Sequence, residues 1–469
     1  MMKKLALALA IGLSMPSLAM ANTTVVIAAD GTIQTLYPHN ATVGLDMSVA
    51  GAMYDGLFHF DGEMQPQPNL ATGYEVSEDG KTYTITLRTG VTFTDGTPFN
   101  AEAAKFNYET QIANNYRRAS LLEEIDHMEV VSENVLRFHL KVASNTFINN
   151  LTHPSQVMVS PAAIEKLGDD IRTTPVGTGR FMLDSWVRGS KVVMVRNPNY
   201  WGEPAQVDTL EVRAVPEAGS RLAMLRSGQA HFMLSLPHTM QPAVQADRRL
   251  SVGSIPSIIG RYYKLNNQNE ILAKKEVRQA LNYAFNKPAY AKVVYGDSAL
   301  PLQSIIPQKI ENFQAQTPYN YDLEKAKALL SSAGYDKGFD VEIWAKNTTE
   351  SMRSAEFMQQ QLRALNITSN IRPRDLASHF ASGDTINANG TPAVLFDAGW
   401  SASSGTVDWA IRPLFGSTGT SNYSSYKNTR VDELLAAGQR TLDTQEKQAI
   451  YGELQQIIWE EAPAVWATE

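Results

Sequence analysis

The chain of 469 residues is too long for one comfortable core, so two or more domains are expected. Its composition is that of an ordinary soluble protein, 43% hydrophobic and 19% charged, without low-complexity tracts or a short repeat. A net charge of −7 argues against nucleic acid or an anionic membrane surface as partner, and the absence of cysteine excludes disulfides, thiolate metal sites and a cysteine nucleophile.

MMKKLALALAIGLSMPSLAMA reads as a secretory signal, with Lys3 and Lys4 as its basic end, Leu5 to Leu13 as its apolar stretch and Ala19-Met20-Ala21 as its cleavage site. The apolar run is far shorter than the ~20 residues a spanning helix needs. Cleavage after Ala21 is expected. With no lipid-bearing cysteine to tether the product, it would diffuse in an enclosed compartment, the Gram-negative periplasm.

TTVVIAA, residues 23–29, is a β-rich run, and MSVAGAMYDGLFHFD, residues 47–61, has helical apolar spacing. Residues 77–99 read as paired hairpins, with Asp79-Gly80 and Asp95-Gly96 as turns and Tyr83, Ile85 and Leu87 alternating with polar neighbours. Asn100 looks like the cap of a helix running to about Ala113, and VLRFHL, residues 135–140, like a further strand. Ser160 caps and Gly168 ends a short helix. Strands are expected within 179–202 and a helix over 220–227, then a strand at RYYKLNN and a helix over 276–295 interrupted near Pro288. Residues 321–335 form a clean amphipathic helix capped by Asp322 and stopped by Gly334. Strands at 340–345 and 393–400 and helices over 354–366, 431–440 and 446–461 complete an α/β pattern.

Catalytic signatures are weak. Gly399-Trp400-Ser401-Ala402-Ser403 nearly spells the G-x-S-x-G nucleophile elbow, but the final small turn residue is Ser403. Gly177-Thr178-Gly179 lacks the further glycine and lysine of a phosphate cradle and reads as a turn. The eight histidines are scattered with no H-E-x-x-H, so no metal and no cofactor is expected. A peptidase would have to combine Ser401 or Ser403 with His153.

Asp408 raises a question. It lies among Trp400, Trp409, small residues and aliphatics, with no base in the six preceding residues and Arg412 the nearest afterwards. Such surroundings penalise a carboxylate unless a positive partner arrives, from the chain, a metal or outside.

The segments SEDGKTYTITLRTGVTFTDGTPFNAE, TPVGTGRF, NPNYWGEPAQVDTLEVRAVPE and EVRQALNYAFNK together resemble the peptide/nickel class of periplasmic solute-binding proteins that serve ABC importers, bacterial extracellular solute-binding family 5. THPSQVMVSPAAIEKLG, RYYKLN and GWSASSGTVDW are most similar to its glutathione-binding branch. The resemblance implies a non-enzymatic, two-lobed α/β protein of the hinge-closing type II, with an extra small subdomain in the N-terminal half. Lobe I would comprise 22–58 and 171–245 with 441–469 returning to it, the subdomain 59–170, and lobe II 246–440. Relatives usually continue several tens of residues past EEAPAV, so an incomplete first lobe is expected of a sequence stopping at Glu469. A membrane permease and its ATPase are the implied partners, and the protein itself is expected to be a monomer.

In peptide-binding relatives the acid at the place of Asp408 accepts the ligand's ammonium, a role favoured here over an internal salt bridge with Arg412. Glutathione has one ammonium and two carboxylates; Arg117 stands where the resemblance implies a cleft arginine, and Arg261 where the glutathione-binding branch has an arginine and ordinary dipeptide binders an uncharged residue. Trp400 and Trp409 would wall the cleft, with Tyr262, Tyr54, Met47, Asp46 and His153 as further candidates. For Tyr54 and Met47 a core position explains the pattern equally well, and a solvated loop is the simpler reading of His153. Dipeptide or oligopeptide binding is the first alternative, and nickel-chelate or haem binding the next.

Overall fold

In the computed structural model, residues 23–469 are described except Thr42, Arg117, Asp297 and Asn389. The segment read as a signal lies outside the described residues. Two five-stranded sheets organise the molecule. In the first, strand order is Phe232–Met233, Thr24–Ala29, Thr209–Ala214, Lys191–Arg196 and Phe181–Val187. Thr24–Ala29 is parallel to both its neighbours, while the last two strands form an antiparallel hairpin. In the second sheet the order is Thr368–Arg374, Asp340–Lys346, Val394–Ser401, Ile259–Leu265 and Ala464–Thr468. Its first three strands are parallel, and Ile259–Leu265 runs antiparallel to both of its neighbours. An antiparallel four-stranded sheet of Ala71–Val76, Thr82–Leu87, Val135–Leu140 and Ile125–Ser132 carries a core of its own.

Helix boundaries follow local chemistry. The Asn100 side chain accepts from Ala103 N at 2.9 Å to start Ala101–Ala113, and Asp322 accepts from Lys325 N at 2.9 Å to start Leu323–Ser332. Each satisfies an amide with no partner inside its helix. Gly80 and Gly96 take the left-handed conformation their Asp-Gly turns require. Gly177 and Gly179 form the expected turn before Phe181–Val187. Their freedom from a side chain is essential, because a Cβ at either would come within 2.3 Å of Met53.

Two expectations are corrected. The helical spacing of 47–61 yields only the helix Gly44–Ala50, followed by a turn and the strand Phe58–Phe60. Gly51 and Asp55-Gly56 interrupt it, and Gly56 bridges to Val157. The C-terminal segment does not return to the first lobe: Ala464–Thr468 pairs with Ile259–Leu265 in the second sheet. The reason lies in the residues AVWAT, all five of them buried. Val465 and Ala467 enter the core on one face of that sheet, with Tyr263, Leu281 and Ile343, while Ala464 and Trp466 enter the other, with Ile411, Phe415 and Trp459. Trp466 stacks on Trp459 with centroids 5.5 Å apart. Burying an aromatic of this size contributes roughly 1.5–3 kcal/mol, enough to fix the strand in place.

Candidate functional site

Ligands of open α/β sheets sit beyond the carboxyl ends of parallel strands, where helix N-termini converge. In the second sheet those ends are Arg374, Lys346 and Ser401. Thr348 caps the helix Thr349–Arg363 and Thr406 caps Val407–Phe415, each accepting a hydrogen bond from the third residue on. Arg261, near the start of the antiparallel strand, pairs in register with Gly399 and so lies at the same end. Gly399 is exposed, and a Cβ there would meet nothing closer than 3.5 Å, beside the Arg261 stem. The result is an open floor with a guanidinium at its edge.

Arg261 Nη1 lies 3.3 Å from Glu350 Oε1, and its guanidinium stands 5.3 Å from the centre of the Tyr295 ring. The Tyr295 hydroxyl donates to the same Glu350 oxygen at 3.2 Å. Deeper in, Lys346 Nζ is 3.1 Å from Asp397 Oδ2, which also accepts from the Ser351 hydroxyl. Arg261 was named from the sequence as a candidate; Gly399, Tyr295 and Glu350, which the fold places beside it, were not. The available signal for Glu350 was its place in NTTES, a Thr-capped helix start directly after the strand DVEIWAK.

Asp408 has its cation within the chain. The helix Val407–Phe415 places Arg412 one turn on, with Arg412 Nε 3.0 and 2.9 Å from the two carboxylate oxygens and Nη2 2.5 Å from Oδ1. Arg412 Nη2 also donates to Leu435 O at 2.9 Å and to Gln439 Oε1 at 3.2 Å. The i,i+4 spacing on a helix is the physical reason. The internal pair with Arg412, which the sequence reading ranked behind a ligand's ammonium, is the contact Asp408 makes in this structure. Beside it Glu124 accepts from the Gln439 side-chain amide, and burial, opposed by that bond, pushes its carboxyl up to about 7.

His153, Trp400 and Trp409 come together. The Trp400 and Trp409 rings are 5.6 Å apart, and those of His153 and Trp409 5.9 Å. Trp400 Nε1 donates to Trp409 O at 3.0 Å, Trp409 Nε1 donates to Ser403 Oγ at 3.2 Å, and the Arg118 guanidinium lies 5.5 Å from the Trp409 ring centre. His153 is buried rather than in a solvated loop. Ser155 N–H approaches its Nδ1 at 3.1 Å, which leaves Nε2 as the protonated nitrogen, donating to Ser403 Oγ at 3.0 Å. Burial, with help from Arg118, drops its pKa to about 3. An imidazole so weakly basic, with its proton already facing the serine, cannot act as that serine's general base. The hydrogen bond instead joins the N-terminal half to the second lobe. Asn149 Nδ2 to Ser404 O at 3.2 Å and Lys309 Nζ to Glu63 Oε2 at 2.9 Å do the same. Around the latter two lies a recess of about 160 Å³ lined by Met64, Asn149, Lys309 and Gly405 among others.

The remaining candidates separate. Tyr54 is a core residue whose hydroxyl donates to Leu36 O at 3.2 Å, and Asp46 is buried, accepting from Gln34 N at 2.9 Å. Tyr262 points into the core with Phe415 and Trp466, on the opposite face of its strand from Arg261. All three side chains are turned into the interior, Asp46 on its helix, Tyr262 on its strand and Tyr54 in the turn segment that packs against Met53 and Val159. Met47 is half-buried on Gly44–Ala50, and Arg117 lies outside the described residues.

The comparisons agree with this architecture. The model of the bacterial extracellular solute-binding proteins, family 5 (middle), matches residues 65–422. The chain is 37% identical over 458 residues to the glutathione-binding protein GsiB of Shigella dysenteriae serotype 1, covering 96% of this chain and 89% of that one. It is 38% identical over 454 residues to GsiB of Salmonella typhi, covering 95% and 88%. Among solved structures, the ABC transporter-associated periplasmic binding protein DppA from Helicobacter pylori, in complex with the peptide STSA, has a TM-score of 0.85 at 26% identity, covering 95% and 93%. The dipeptide-binding protein from Pseudoalteromonas sp. SM9913 in complex with Met-Leu shares the fold at TM-score 0.85 and 24% identity, covering 95% and 94%. With its sheets, its lobes and the residues that join them in place, the chain belongs to the bacterial extracellular solute-binding proteins of family 5, proteins that bind a solute rather than transform it.

Proposed function

We propose that the protein captures glutathione between its two lobes and hands it to the membrane permease and ATPase of an ABC importer. The observation that carries this reading is Arg261, a guanidinium at the carboxyl end of the second sheet beside the open Gly399 floor, in a chain 37–38% identical to glutathione-binding proteins over nearly its whole length. A guanidinium fork suits a carboxylate-rich tripeptide. Lobe I comprises 22–58 and 171–245, the subdomain 59–170, and lobe II 246–440 together with the C-terminal strand. Ligand favours the closed arrangement because only there do both lobes touch it. The protein acts as a monomer in the periplasm after cleavage at Ala21. No helix among the described residues is long and apolar enough to cross a membrane.

A dipeptide is the second reading, favoured by the Arg261–Glu350 pair, whose opposite charges match any zwitterion. Micromolar binding corresponds to about −8 kcal/mol, within reach of a few charge-assisted hydrogen bonds in a desolvated cleft. Titration calorimetry with glutathione, its oxidised form, Met-Leu and nickel-histidine separates the readings. Heat at micromolar glutathione with little from the others is the expected result. Heat from Met-Leu alone would replace glutathione with a dipeptide and leave the family assignment standing.

A further inference from the structure

The outward face of the subdomain's four-stranded sheet carries chemistry that the cleft does not use. Ile125–Ser132 pairs with Val135–Leu140 so that His127 stands directly opposite His139, and Glu129 opposite Arg137. Met128, Leu136, Phe138 and Leu140 fill the core on the other face, and the two-residue alternation of the strands turns both imidazoles outward. Their side chains are 61% and 30% exposed. The two rings stack with centroids 4.3 Å apart and planes within 10° of each other. Asp126 is the extra residue of a bulge between Ile125 and His127, and its Oδ2 lies 2.8 Å from His127 Nδ1. A carboxylate only accepts, so Nδ1 carries the hydrogen and the neutral ring has its lone pair on Nε2, which makes no hydrogen bond among the described residues. Glu129 Oε2 is 2.9 Å from Arg137 Nη1 and 3.6 Å from His139 Nε2.

We propose that His127 and His139 form a two-imidazole chelate for a divalent transition metal of the zinc, nickel and copper class, with Asp126 as the positioning partner of His127. Imidazole nitrogen is the ligand this class of ions prefers. A carboxylate on the far ring nitrogen fixes the tautomer and makes the ligating nitrogen more basic, and Asp126 stands in that place. Two nitrogens that each hold one ion at 2.0–2.1 Å in a tetrahedral arrangement lie ~3.3 Å apart. A small tilt of two exposed rings toward each other supplies this from the observed stacking. No group of three or more His, Asp and Glu side chains among the described residues is disposed to hold a metal, so water completes the coordination and the site is an open chelate rather than a closed cage. Glu129 stays on Arg137 and, with Asp126, adds negative charge beside the dication. The pair is twelve positions apart in the chain, a spacing no helical motif covers, and only the strand register brings it together. The ordinary role of a stacked cross-strand pair is to stabilise the sheet, and that role is indifferent to added metal.

The test is calorimetric titration of zinc chloride alone into the untagged, ligand-free protein in a buffer without chelators, for wild type, His127→Asn, His139→Asn and Asp126→Asn. Wild type is expected to bind one ion at micromolar concentration, and each histidine variant to bind it at least ten-fold more weakly. Asp126→Asn should weaken it about ten-fold through the imidazole it orients. No heat from wild type, or equal affinity in wild type and both histidine variants, overturns the proposal. A second measurement needs no substitution: modification of wild type by diethyl pyrocarbonate, followed by mass spectrometry. Zinc should slow the reaction of His127 and His139 at least five-fold while the exposed His59 reacts as before. Unchanged reaction of His127 and His139 would contradict the chelate even if an ion binds elsewhere.

Discussion

Asp408 and Arg412 show how a single residue's role turns on the local backbone. Read along the chain, the acid sits in an apolar stretch after a Ser/Gly loop, and its base is four places away beyond two aliphatics. Once Thr406 caps a helix at Trp409, those four places become one turn and the pair closes. The side chains are 12% and 30% exposed, so removing the acid leaves a largely enclosed guanidinium uncompensated. Asp408→Asn is therefore expected to cost about 3 kcal/mol of folding stability, read as a lowered urea midpoint, with glutathione affinity changed less than three-fold. A large affinity loss at unchanged midpoint would return Asp408 to the ligand.

At the scale of elements, much of the fold was legible because it rests on short-range chemistry. The caps at Asn100, Ser160 and Asp322 and the turns at Gly80, Gly96 and Gly334 stand where the sequence places them. What escaped depends on partners distant in the chain. The strands Thr209–Ala214 and Thr368–Arg374 are bordered by polar residues, and the helix Val407–Phe415 hides behind Pro413. The strand Ile259–Leu265 was recognised, but its alternation could not say which face is buried, since both are. Lys264 consequently points inward. It is 1% exposed, donates to Ser421 O at 2.5 Å and lies against the rings of Tyr423 and Phe415. Burial lowers its pKa to about 7, and Lys287, against Trp459, is lowered likewise to about 7. An unfolded lysine keeps its proton up to its ordinary value of about 10.4, so above pH 7 the unfolded chain binds more protons than the folded one. Each of the two lysines thus makes stability rise with pH between 7 and 9, by up to about 1.4 kcal/mol per unit. Lys264→Met should be more stable than wild type at pH 7 and lose one of these two contributions. Urea midpoints at pH 7 and pH 9 measure both, and an unchanged slope would show that Lys264 keeps its charge.

The whole molecule was the most legible level in kind and the least in detail. Motifs spread over the chain implied two lobes around a cleft, and the sheets deliver them. Among the expected cleft residues, Arg261, Trp400, Trp409 and His153 come to the junction or its sheet end, whereas Tyr54, Asp46 and Tyr262 are spent on cores. Orientation about a helix or strand is settled by packing on its far side, which no local pattern records. Contacts that join the halves, among them His153 to Ser403, Asn149 to Ser404 and Lys309 to Glu63, link residues 246 or more positions apart. His153 stays neutral down to about pH 3, so its bond to Ser403 is expected to persist at any pH a periplasm reaches. The central claim remains a ligand carboxylate on Arg261. Calorimetric titration of wild type and Arg261→Ala with glutathione, in one low-salt buffer, tests it most directly. Micromolar binding by wild type and a loss of at least thirty-fold in the variant, about 2 kcal/mol, is the predicted result; equal affinity of the two proteins would contradict it.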